Sequence, residues 1–203
     1  MKTRHALTVW LVLVLVHGCA LSQPTRFYLL SPAGDAEAVQ ECPEGMPVSI
    51  GVRPACLPRY LDRPEIMTRC GPNEVELSEL DHWAEPLGEN MSRVLAQNLE
   101  SLLCAETTLL AAPGQGQTDY RVTLEVARLD GSPGGEAVLD ARWSVFPNGE
   151  ETPLATREAR FSLPVPQGGH GELVSVYSSL LAMLSREVAG FFRTMRVQGD
   201  RTR

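Results

Sequence analysis

The chain has 203 residues, with 18 Lys and Arg against 25 Asp and Glu, and a formal net charge of −7. That acidic balance argues against nucleic acid as a partner, since such binding rests on neutralising phosphates. It also argues against flat adhesion to anionic lipid through a polybasic patch.

At the amino end, Lys2 and Arg4 precede an uncharged apolar run from Ala6 to Val16. A bilayer-spanning helix needs about 20 apolar residues, so this run reads as a secretory signal instead. Val16-His17-Gly18-Cys19 matches the bacterial lipobox, with an unusual His17, and makes Cys19 the expected lipidation site. An ordinary signal peptide with a chance cysteine is the alternative. No cofactor is expected beyond covalent diacylglycerol and an N-acyl chain on Cys19. One acyl chain holds a protein only reversibly, whereas several on one cysteine anchor it durably. Ala20 stands where aspartate would signal inner-membrane retention, and by resemblance to bacterial lipoproteins this favours the periplasmic face of the outer membrane. The expected organisation is a signal over 1–18, a lipidated leash over 19–25, one domain over 26–197 and a polar tail over 198–203. Removal of 1–18 takes away Lys2 and Arg4, leaving 16 basic against 25 acidic side chains, a net charge of −9.

Arg26 to Leu30, with Phe27 and Tyr28, predicts a first strand. Ala33 to Gly45 is a loop, and Val48, Ile50 and Val52 alternate with polar or small residues as a strand does. Pro54, Pro58 and Pro64 remove backbone donors, so the segment between them belongs on a sheet edge or across a surface. Glu65 to Arg69 and Glu74 to Ser78 predict a hairpin around Cys70-Gly71-Pro72-Asn73. Leu87, Met91, Val94, Leu95, Leu99 and Leu102 mark one stripe of a helix whose first turn accommodates Pro86.

After a Pro/Gly loop at Ala111 to Gln117, three alternating strands follow. Their inward sets are Tyr120 to Val126, Leu139 to Val145, and Ala159 to Leu163, joined by turns short enough for an antiparallel meander. Gly168-Gly169-His170-Gly171 breaks the chain, and Leu173, Tyr177, Leu180, Leu184, Val188, Phe191 and Met195 trace a long second helix. The fold class read from this is α+β, two-layered, with a mainly antiparallel sheet covered by two amphipathic helices. Val174, Leu181 and Phe192 widen the second helix's apolar stripe, as core or as the wall of a lipid or small-amphiphile site.

No catalytic set is visible. The histidines of a processed chain are His82, before the first helix, and His170, in a glycine loop, and adjacency of Asp81 to His82 does not make a dyad. No CxxC occurs and no histidine lies at ligand spacing from a cysteine, so no metal is expected. Cys42, Cys56, Cys70 and Cys104 are disulfide candidates in an oxidising compartment, with Cys56–Cys70 the preferred pair because it would pin the segment between them. Arg59, Tyr60, Asp62, Arg63, Trp83 and Glu85 concentrate aromatic and charged side chains in proline-constrained segments. They are candidates for partner contact; structurally, Asp62 and Arg63 would fix a turn and Trp83 would pack beneath the helix entrance.

Leu57-Pro58, Tyr60-Leu61-Asp62-Arg63-Pro64, Thr68-Arg69, Trp83-Ala84-Glu85-Pro86-Leu87, Arg93-Val94-Leu95-Ala96 and Asn98-Leu99 together resemble the paraquat-inducible protein C (PqiC) family of transport-auxiliary lipoproteins. The resemblance covers about a quarter of the chain. It implies a non-enzymatic outer-membrane subunit that maintains envelope integrity, partnered with an MCE-domain, PqiB-like protein and inner-membrane ABC-type or paraquat-inducible transport subunits. It also implies assembly of copies into a ring.

Overall fold

The structure, a computed structural model, describes residues 23–33, 48–110 and 118–200. The signal run, Cys19, Cys42, most of the loop between Ala33 and Gly45, the loop from Ala111 to Gln117 and the last three residues lie outside the described residues. In chain order the elements are β1 Arg26–Tyr28, β2 Ser49–Val52, β3 Glu65–Arg69, β4 Val75–Trp83, α1 Leu87–Leu103, β5 Glu106–Leu109, β6 Tyr120–Asp130, β7 Glu136–Pro147, β8 Ala155–Pro164 and α2 His170–Asp200.

The α+β class holds, but the strands form two mixed sheets, not one mainly antiparallel sheet. The larger has the order β5-β2-β6-β7-β8, with β2 parallel to both β5 and β6. Its other half is the expected antiparallel meander. The smaller has the order β1-β4-β3, with β1 parallel to β4 and the expected β3–β4 hairpin antiparallel. Parallel partners need long crossovers; β3, β4 and α1 together provide the one from β2 to β5. β5 is an edge strand of four residues, Glu-Thr-Thr-Leu, without alternation, and only its partner β2 makes it a strand.

Both helices cover the larger sheet. Leu87, Met91, Val94, Leu95 and Leu99 of α1 are buried over β2 and β5. Leu173, Tyr177, Leu180, Leu184 and Val188 of α2 are buried toward β7 and β8. Val174, Leu181 and Phe192 are buried as well, so the breadth of the stripe is core. Trp143, fully buried on β7, donates its indole N–H to Glu187 Oε1 at 3.0 Å, satisfying its polar end within the layer.

The proline segment behaves as a local edge. Beyond β2, Arg53 N–H donates to Val122 O at 3.1 Å and Cys56 N–H to Leu124 O at 2.9 Å, so the chain keeps to β6 without a partner strand outside it. The first turn of α1 covers it there. Ala55 N–H meets Ser92 Oγ at 2.8 Å and Gly88 O at 3.3 Å, and a Cβ on Gly88 would lie 2.7 Å from Ala55 O. Gly88 therefore permits close backbone approach.

Candidate functional site

The first described residues after the leash are fastened to the core by three side chains from the two helices. Leu30 N–H donates to Asn90 Oδ1 at 2.7 Å, Ser31 N–H to Ser178 Oγ at 3.1 Å, and Ala33 N–H to Asn98 Oδ1 at 2.9 Å. Asn90 and Asn98 are both buried on α1, and Asn98 Nδ2 continues to Ser185 Oγ on α2 at 3.0 Å. Residues 30–33 thus form a strap over the α1–α2 seam, its backbone donors satisfied without a strand partner.

Beside the strap lies a charged clasp around Asp81. Met67 pairs with Leu77 and Glu65 with His82, so two steps of β3 face five of β4, and the excess is a bulge at Ser78–Asp81. Ser78 Oγ accepts from Asp81 N–H at 3.1 Å and donates to Asp81 Oδ2 at 2.7 Å, which aims the carboxylate inward. Tyr28 OH donates to Asp81 Oδ1 at 2.7 Å, and Arg26 Nε, its cross-strand neighbour, reaches the same oxygen at 2.8 Å. His170, the first residue of α2, places Nδ1 at 2.9 Å from Asp81 Oδ2 and Nε2 at 3.2 Å from Thr68 Oγ1. Burial alone would raise the Asp81 carboxyl. The hydrogen bonds from Ser78, Tyr28 and Arg26, with the adjacent imidazole, outweigh it and hold the group down to about 2. Burial, then the hydrogen bond to Asp81, pushes the Tyr28 phenol up.

Thr68, His170 and Asp81 stand in the contact order of a hydroxyl, base and acid relay. The groove beside them, however, is lined by Tyr28 and Gly171 and not by Thr68 or His170. With four groups converging on Asp81, the arrangement works as a clasp joining β1, the β3–β4 hairpin and α2. Sequence reasoning missed it because its members are scattered from residue 26 to residue 170. The local clue is Ser78 three residues before Asp81, a spacing at which a hydroxyl can bind a backbone N–H. His82, by contrast, sits edge-on to Phe27, ring centroids 6.0 Å apart.

A second buried carboxylate, Asp130, is 1% exposed and is held by Arg69 Nε and Nη2 at 2.7 and 2.6 Å and by Arg128 Nε at 2.7 Å. With Arg69 N–H on Gly131 O, it welds the end of β3 to the end of β6.

The candidate contact residues divide. Arg59, Asp62 and Arg63 are exposed on a turn closed by Leu61 N–H to Pro58 O, with Arg63 Nε 3.3 Å from Glu65. Trp83 is corrected to core: it is 7% exposed and stacks 6.5 Å from Tyr177, beneath the helix entrance. Tyr60 is half-buried; burial and then the Asp130 charge push its phenol up. Glu85 is half-buried and ion-paired to Arg93. Trp83 N–H to Pro64 O at 2.7 Å and Ala84 N–H to Tyr28 O at 2.9 Å bring the exposed turn, the helix entrance and β1 to one corner.

The preferred disulfide is also corrected. Cys56 and Cys70 are exposed free thiols, whereas Cys104 is disulfide-bonded. Cys56 is held against Glu125 of β6 by a parallel bridge, and Cys70 sits at the hairpin turn with Sγ 3.6 Å from Glu76, so each follows a different sheet. Among the described residues no group of three metal-ligating side chains occurs, and no helix is long and apolar enough to cross a membrane.

Comparison with known proteins places this architecture. A search of curated proteins finds no match. The fold is similar to a crystal structure described only as an uncharacterized protein, at TM-score 0.67 and 20% identity, covering 84% of this chain and 99% of that one. It is also similar to a Xanthomonas campestris protein of family DUF330, at TM-score 0.65 and 15% identity, covering 89% and 99%. These identities speak to fold alone. The family model for the ABC-type transport auxiliary lipoprotein component matches residues 28–189, from the clasp tyrosine on β1 to Ala189 within α2. The strap, the clasp apart from Arg26, β2 to β8, α1 and the first two thirds of α2 fall within that match, and the chain belongs to the ABC-type transport auxiliary lipoprotein component family.

Proposed function

We propose that this protein is a non-enzymatic lipoprotein, anchored through Cys19 to the periplasmic face of the outer membrane, that docks an MCE-type or ABC-type lipid transport machine there. The observation that carries the reading is the strap. A chain leaving a lipid anchor enters the fold at Arg26 and is bonded at once to both helices through Asn90, Asn98 and Ser178. Force or position at the anchor is thus transmitted to the whole domain. The exposed corner of Arg59, Asp62 and Arg63 is the surface offered to an MCE-domain protein or to further copies in a ring. Photo-crosslinkers at these three positions in intact envelopes should capture one or both. Recovery of neither, from a correctly processed protein, would sink the docking reading.

The carrier alternative has lost its expected location, because the layer between sheet and α2 is packed with buried side chains. What favours it still is an open groove of about 650 Å³ between the strap and α2, lined in part by Leu29, Leu163, Val174 and Met183 with Ser175 and Ser179. Native mass spectrometry of detergent-free protein decides: a retained lipid supports carriage, and its absence leaves docking alone.

A further inference from the structure

We propose that the outward face of β1, Phe27 with Leu29, rests on the lipid bilayer and fixes the orientation of the domain above it. This rests on the reading of Cys19 as the acylated residue.

Phe27 is 64% exposed and Leu29 46%, among the most exposed large apolar side chains of the described residues. Neighbouring strand positions face opposite ways. Arg26, still largely exposed, and Tyr28 reach toward Asp81 while Phe27 turns away from it; Leu29, just past β1, is exposed at the mouth of the groove beside α2, and Leu30 is again buried. The exposed pair is held in place. Phe27 is braced edge-on by His82, its partner in register, and the backbone on either side is fixed by Tyr28 O to Ala84 N–H and Leu30 N–H to Asn90.

Chain length selects the bilayer as occupant. Phe27 follows Cys19 by eight residues, a contour of at most about 29 Å even when fully extended. A domain of this size is about 40 Å across, so the tether cannot carry β1 to the side of the domain farthest from the membrane. With a net charge of −9 after removal of 1–18, contact with anionic headgroups is unfavourable and the apolar pair supplies the attraction. Zwitterionic lipid is therefore the probe.

The test uses the acylated protein processed at Cys19, and so without Trp10, in phosphatidylethanolamine/phosphatidylcholine vesicles with brominated acyl chains, comparing Phe27→Trp with Leu154→Trp. Leu154 is 49% exposed and bonded to Val145 beyond the turn at Asn148. Asn148 contacts Asp119, at the opposite end of β6 from Asp130 and Gly131, beside which β3 lies. The native Trp83 and Trp143 are buried and out of reach of the quencher. Expected is at least a twofold loss of the added fluorescence for Phe27→Trp, with a blue shift, little changed by salt, and none for Leu154→Trp. Vesicle-bound protein whose Phe27→Trp signal is unquenched overturns this inference and leaves the anchor intact. So does quenching that appears only after dilution, because the face is then covered by a second copy. If mass spectrometry finds no acyl groups on Cys19, or Cys19→Ala floats with vesicles as the native protein does, the anchor reading itself has failed.

Discussion

At Asp81, one carboxylate is 3% exposed yet takes contacts from Arg26, Tyr28, Ser78 and His170, and its proton affinity carries the cost and gain of that site. The folded group titrates at about 2, below the ordinary 3.8. Its stabilisation, about 2 kcal/mol by linkage, is therefore full above pH 5 and is lost as pH falls toward 2. Urea titrations between pH 7 and 2 should show that acid limb, and Asp81→Asn should be less stable at neutral pH by about 2 kcal/mol with the limb flattened. A variant that keeps the native pH profile would show that the clasp contributes nothing. Asn90 gives a simpler case. Asn90→Ala leaves the buried Leu30 N–H without an acceptor, at a cost of about 1–3 kcal/mol. Calorimetry should find Tm lower by about 2–4 °C for each kcal/mol.

Among the elements, α1 is placed by an approach that only a missing side chain permits. Gly88→Ala sets a Cβ 2.7 Å from the Ala55 carbonyl, so α1 must move off the segment following β2, and a loss of about 1–3 kcal/mol is expected despite alanine's better helix propensity. Gly190 lies within α2, where a Cβ would meet nothing within 4 Å, so Gly190→Ala should stabilise by about 0.5–1 kcal/mol. Chemical denaturation of the two variants should give opposite signs; the same sign for both would refute the close-contact account. At its other end α1 stops at Cys104, which takes a left-handed conformation (φ 51°) unusual for a side-chain-bearing residue and is disulfide-bonded.

For the molecule as a whole, thiol state reports on how the parts are joined. Of the cysteines among the described residues, maleimide should label Cys56 and Cys70 in the folded, unreduced protein, and Cys104 only after reduction. Labelling of neither exposed thiol would restore a bridge between them. The same two-part construction explains the sheets: the clasp fastens β1, β3 and β4 to α2, and Asp130 with its two arginines fastens β3 to β6. A small sheet with an anchored strand is thereby made rigid with a larger sheet that carries the core.

The periodic elements were legible in the sequence, because burial of one face imposes a period of two or 3.6 on residue type. The meander, the β3–β4 hairpin, both amphipathic helices and the turn at Asp62 and Arg63 are read from such patterns and from turn chemistry, and the family from its motifs. Other features depended on which distant segments meet. β5 has no pattern of its own and exists because β2 lies beside it; Trp83 could have been anchor or core until Tyr177 was placed against it. The Asp81 clasp draws on four segments, and free Cys56 and Cys70 reflect attachment to different sheets. A local pattern records whether a residue faces water or core, while the identity of its neighbour is set by topology, which no single stretch encodes.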